Sequence, residues 1–158
     1  MVSTGPQNGR QWLRFIGNWV NLTTPLGLGV AKLGRARVSR GPRGLILAER
    51  YRLGFPVASA FTVGNVLLTR FTWDAVADRK ARLFEHEERH TWQYLYCGGV
   101  PFIGAYVLGC GWSLLRTGDR GARNFFERQA GLDIGGYVDV PVRPISTLFS
   151  RRGRSRDA

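Results

Sequence analysis

The stretch that decides the fold is Leu83-Phe84-Glu85-His86-Glu87-Glu88-Arg89-His90-Thr91-Trp92-Gln93. It holds His-Glu-x-x-His, and His86 and His90 are the only two histidines of the chain. On a helix, positions four apart share a face, so both imidazoles can reach a single metal ion. Glu87, beside the first histidine, is then placed as general base on a metal-activated water. A helix is expected from about Asp74 to Tyr96, with Asp74 as N-cap and Gly98-Gly99 as its stop. At about 100° per residue, Val76, Leu83 and Tyr94 flank the histidine line, and Ala77, Phe84, Thr91 and Leu95 lie further round that side. Glu87 therefore points into an apolar arc, where an ionised carboxylate is costly without a partner. Gln93 lies one turn beyond His90 on the imidazole face, placed to support a ligating ring from behind.

Upstream, Leu45–Tyr51, Ala58–Val63 and Val66–Thr69 read as three short, half-apolar strands, the last two joined by a Gly64-Asn65 hairpin turn. The expected class is α+β, a small antiparallel three-stranded sheet packed on the His-Glu-x-x-His helix. Three regions follow: an apolar and basic N-terminal segment (1–42), a main domain (43–148) and a disordered basic tail (149–158). In the first region Trp12, Phe15, Ile16, Trp19 and Val20 recur at helical spacing. That helix either packs on the core or lies on an anionic membrane surface, with Lys32, Arg35, Arg37 and Arg40 at headgroup level.

Net charge is +12, carried by 21 arginines and only two lysines. The charge suits an anionic membrane surface or nucleic acid. No helix-turn-helix, RNA-recognition or finger pattern is present, so nucleic acid is not the expected partner. Cys97 and Cys110 form no C-x-x-C, and nothing requires an oxidising compartment. The N-terminal apolar stretch is interrupted by Asn18, Asn21, Thr23, Thr24 and Pro25, so no signal peptide is read. The expected location is cytoplasmic, with peripheral membrane association as the alternative setting. From Thr91 to Leu115 there are 25 uncharged positions, but Gly98, Gly99 and Pro101 break the run. The 16 residues of Val100–Leu115 are short for a span and suit a buried, re-entrant or interfacial helix.

A further protein ligand must be Asp, Glu or Cys. Cys97 lies about 10 Å along the helix from His90, too far to share its ion. Glu127 is the better candidate, 37 residues downstream on a short helix, Asn124 to Gly131. Two histidines, one glutamate and an open position make a catalytic rather than a structural Zn2+ geometry.

His-Glu-x-x-His-x-x-Gln, from His86 to Gln93, followed by Asn-x-x-Glu-x-x-Ala, from Asn124 to Ala130, resembles the gluzincin arrangement of zinc metallopeptidases in miniature. The chain is most similar to small bacterial zincin-like domains, in which a strand of the type Ala60-Phe61-Thr62-Val63-Gly64-Asn65 precedes the motif helix. The resemblance spans roughly residues 43–132. It implies that His86, His90 and Glu127 ligate zinc, that Glu87 is the base, and that Gln93 and Asn124 stand behind the ligands. Two departures matter. Active peptidases usually have uncharged residues at the middle motif positions, here Glu88 and Arg89. The chain is also short for the second subdomain that closes their cleft. Zinc binding is thus better supported than proteolysis. Tyr94 and Tyr106 are the candidates for steadying an oxyanion. The expected function is a zinc-dependent hydrolase acting on a peptide or protein substrate. The alternative is a non-catalytic membrane-associated protein whose motif is structural or degenerate.

Overall fold

A computed structural model of the chain describes residues 4–56, 58–79 and 82–144. The basic tail expected at 149–158 lies outside them. The chain divides into two compact units, 1–104 and 105–158.

The first unit is α+β. Helices α1 (Gly9–Val20) and α2 (Thr23–Leu33) come first, followed by strand β1 (Arg37–Arg40) and a 3-10 turn, Pro42–Gly44. Strands β2 (Ile46–Glu49), β3 (Ala60–Val63) and β4 (Val66–Thr69) precede helices α3 (Trp73–Arg79) and α4 (Leu83–Tyr96). The sheet has four strands in the order β1-β2-β4-β3. It is mixed: β1 with β2 and β3 with β4 are antiparallel, whereas β2 and β4 run parallel.

This corrects the expected three-stranded antiparallel sheet. β1, Arg-Val-Ser-Arg, is exposed along its whole length, so it carries no apolar alternation to betray it. The parallel pair arises because the chain leaves β2 at Glu49 and returns to the sheet through β3, on the far side of β4. Three-residue-scale patterns do not specify which neighbour a strand will choose. β4 matches its expected bounds, Val66–Thr69, and is buried at every position. A central strand covered on both faces favours such a run of apolar residues, here Val66 to Leu68, and Thr69 at its end is satisfied by donating to the Ser59 carbonyl.

Register sets the site. Thr62 and Leu67 are paired across β3 and β4, so their side chains share one face of the sheet. On that face Leu67 packs in a core cluster with Leu45, Ala60, Trp73, Val76 and Leu83. Val66, one residue before Leu67, faces α2, which comes close because position 27 is glycine: a Cβ there would collide with the Val63 carbonyl oxygen. The β3–β4 turn forms where expected. Gly64 takes φ +61, and Asn65 donates from its backbone N–H to Thr24 Oγ1 (3.2 Å).

The single helix expected over Asp74–Tyr96 is two helices. The run around residues 78–82 is rich in Arg, Lys and Ala, good helix formers, so no local signal marks the break. Asp74 is not the cap; it sits in the first turn of α3. Thr72 Oγ1 instead accepts from Ala75 N–H (3.3 Å), and Glu49 Oε1 accepts from Trp73 N–H (2.7 Å).

α1 is inverted relative to an ordinary surface helix. Arg14 and Asn18 are fully buried, while Trp12, Leu13, Ile16, Trp19 and Val20 are exposed. The apolar face is therefore not the one packed on the core. Asn18 Nδ2 donates to Asn65 Oδ1 (3.1 Å) and to the Thr91 carbonyl (2.8 Å), tying α1 to the hairpin turn and to α4.

Helix α5 (Pro101–Thr117) begins in the first unit and continues into the second, which also holds α6 (Phe125–Ala130). Between them Asp119 Oδ1 accepts from the N–H groups of Gly121 (2.7 Å) and Ala122 (2.8 Å), closing a polar turn. Val107, Leu108, Trp112 and Leu115 of α5 are exposed. Among the described residues no single helix is long and apolar enough to cross a membrane.

Candidate metal centre

In the first unit α4 carries His86, Glu87, His90 and Gln93, all buried. Their burial follows from the packing of α4 against β3, and the helix ends where Gly99 N–H returns to the Tyr94 carbonyl at 2.7 Å. The two imidazoles are orthogonal, with Nε2 of His86 and Nε2 of His90 3.1 Å apart. His90 Nδ1 lies 2.7 Å from Gln93 Oε1. Because that amide oxygen only accepts, His90 carries its proton on Nδ1 and turns the Nε2 lone pair towards His86. Gln93 therefore selects the tautomer that a metal ligand needs. Phe102, at the start of α5, closes on both His90 and Tyr94 with ring centroids 6.4 and 4.5 Å away.

Glu87 is turned inward, as its place on the helical wheel requires, and is 4% exposed. Thr62 Oγ1 lies 2.7 Å from Glu87 Oε2 and 3.1 Å from the Glu87 carbonyl oxygen. The hydroxyl donates to the carboxylate, which offsets part of the cost of burying it. Thr62 was not evident from the sequence as a functional residue. Its only signal was its place in the strand preceding the motif, and register alone puts it on the inner face. Tyr94 is buried beside Glu87; burial first, and then that negative charge, push its hydroxyl well above the ordinary tyrosine value.

Glu88, the charged middle residue that departs from the peptidase pattern, has a structural task. It accepts from Arg14 (3.2 Å) and, with both oxygens, from Arg43 (2.9 and 2.5 Å). Arg14 also donates to Thr91 Oγ1 (3.2 Å) and to the Arg43 carbonyl. Burial holds the Arg14 guanidinium below its ordinary pKa, and Glu88 works against that shift. Arg89, the other middle residue, is exposed. Both Cys97, at the C-cap of α4, and Cys110 are free thiols.

In the second unit α6 presents Glu127, 2% exposed, and its carboxylate accepts from the Tyr106 hydroxyl. The arginines beside it in sequence pair elsewhere: Arg123 and Arg128 reach Asp139 at 3.1 and 3.4 Å. Asn124 is the N-cap of α6, its Oδ1 accepting from Phe126 N–H (3.1 Å). Its amide donates to the Tyr106 carbonyl (3.4 Å) and to Cys110 Sγ (3.3 Å). Asn124 thus fixes α6 on α5 and sets where Glu127 points. The Tyr106 hydroxyl, a candidate for an oxyanion, is committed to Glu127. Burial, and next the Glu127 charge, push it far above the ordinary range. Tyr137 is raised to about 12, by burial and then by Glu127.

Comparison with protein-family models, with curated proteins and with solved structures returns no match.

Proposed function

We propose that the chain is a zinc-binding hydrolase acting on peptide-like carbonyl substrates, with His86, His90 and Glu127 as metal ligands and Glu87 as general base. The observation that carries this reading is the buried imidazole pair. Two nitrogens at about 2.0–2.1 Å from one tetrahedral zinc lie about 3.3 Å apart. The Nε2 atoms of His86 and His90 are 3.1 Å apart, and the Gln93 contact leaves the His90 lone pair on the correct nitrogen.

Glu127 supports the reading as third ligand. It is buried within the second unit, and the Tyr106 hydroxyl holds its carboxylate. Two imidazoles and one carboxylate are a borderline donor set of the catalytic zinc kind. Bound zinc would supply an acidified water and polarise a carbonyl oxygen. With zinc bound, Glu87 would be the general base that takes up a proton and hands it to the leaving amine. Thr62 holds the Glu87 carboxylate in place, Tyr106 and Asn124 aim Glu127, and Gln93 keeps the His90 proton on Nδ1.

The test is metal content of the purified protein. Wild type should carry about one zinc per chain and His90→Ala none. Glu87→Gln should keep the zinc while losing hydrolysis of a peptide library. Wild type without zinc after reconstitution, or His90→Ala with full zinc, overturns the metal reading. Loaded wild type that cleaves nothing overturns the hydrolase reading alone.

A further inference from the structure

α1 spends its polar side on the protein. Arg14 and Asn18 are buried in ion-pair and amide contacts to α4 and the hairpin turn. The opposite side carries Trp12, Leu13, Ile16, Trp19 and Val20, exposed by 38 to 76%. At about 100° per residue these five fall within an arc of about 120°. A helix meeting water would have the reverse arrangement. The apolar surface continues into the fold. Phe15 and Trp19 line a cleft of about 430 Å³ with Leu28, Val38 and Arg40.

Charge narrows the occupant. No acidic residue precedes Glu49 in the sequence. Of the cations before it, Arg14 and Arg43 are paired with Glu88. Arg10, Lys32, Arg35, Arg37 and Arg40 are all exposed. Arg40 lines the same cleft as Trp19, so cationic and apolar surface adjoin. Two copies of this chain meeting through this surface would bring like charges together. An anionic bilayer offers both complements: hydrocarbon for the aliphatic residues, an interface for two tryptophans, and headgroup phosphates for the arginines.

We infer that the outward face of α1 lies in the interface of an anionic lipid bilayer, with Arg35, Arg37 and Arg40 at the headgroups. The helix enters along its side and does not cross. This docking is independent of the metal centre.

The experiment is flotation of the full-length protein with phosphatidylcholine vesicles, with and without a phosphatidylglycerol fraction. Binding should rise at least tenfold with the anionic lipid and fall as salt screens the charges. Leu13→Asp with Ile16→Asp should abolish it. Arg37→Ala with Arg40→Ala should weaken it about tenfold or more. These side chains are exposed, so circular dichroism should be unchanged, and chelation of metal should leave binding as it is. Equal binding to both vesicle types, or variants that float like wild type, overturns the inference. So does a dimer in solution that Leu13→Asp with Ile16→Asp converts to monomer, because a second copy would then cover the face.

Discussion

Replacing Glu88 by alanine separates a structural carboxylate from the proposed general base, Glu87, beside it. Arg14 is fully buried and its Nη1 stands 3.2 Å from Glu88 Oε1. At an effective dielectric constant of about 20, that separation corresponds to a gross attraction of about 5 kcal/mol. Removing one partner of a buried pair typically costs 3–5 kcal/mol, because the remaining charge stays in the interior. Arg14 retains the Thr91 hydroxyl and the Arg43 carbonyl as acceptors, which places the loss at the lower end, about 3 kcal/mol. The Arg43 arm is one-third exposed and adds under about 1 kcal/mol. Urea denaturation followed by tryptophan fluorescence reads the loss, and metal analysis of the same sample should show zinc retained. Arg14→Met with Glu88→Met should recover most of the stability, since an apolar pair removes both buried charges. A loss below about 1 kcal/mol would refute the ionic brace. So would loss of zinc at unchanged stability, which would make Glu88 part of the metal site.

Thr62→Val should cost about 1–3 kcal/mol by stripping the buried Glu87 carboxylate of a donor, and should lower turnover while leaving zinc content unchanged. Gly64→Ala should destabilise by about 1–3 kcal/mol, because φ is +61 and the new Cβ would lie 2.5 Å from backbone atoms of Thr23 and Thr24; thermal denaturation measures it. Tyr94, Tyr106 and Tyr137 all have folded pKa values raised above the unfolded 10.0. Their contribution to stability is therefore complete below pH 10.0 and is lost as pH rises through the folded values, at about 12 for Tyr137. An ultraviolet phenolate titration should show these three ionising late, in step with unfolding.

The candidate metal site was legible in proportion to how local its parts are. His86, Glu87, His90 and Gln93 lie within eight consecutive residues, so helical geometry alone predicts their common face. The helix around Glu127 was readable from its terminal Gly131, at φ +98, whereas the cap that Asn124 makes at its other end emerged only from the structure. Thr62 was hidden, because a threonine in a strand has two possible faces and only pairing with Leu67 chooses between them. Glu88 looked like a departure from a peptidase pattern. Its role became clear only once Arg14 and Arg43, 74 and 45 residues away in sequence, were seen on its oxygens.

Sequence alone determined the elements whose signals are short: the His86/His90 spacing on a helix, the strand Val66–Thr69, the turn at Gly64-Asn65 and the end of the last helix at Gly131. Each depends on backbone geometry over a few neighbouring residues. Tertiary structure decided the parallel β2–β4 pairing, the exposed strand β1, the break between α3 and α4, and the inward turn of Arg14 and Asn18. Those outcomes depend on partners far away in the chain. A buried arginine is stable only where a distant carboxylate waits for it, and no local pattern of residues carries that information.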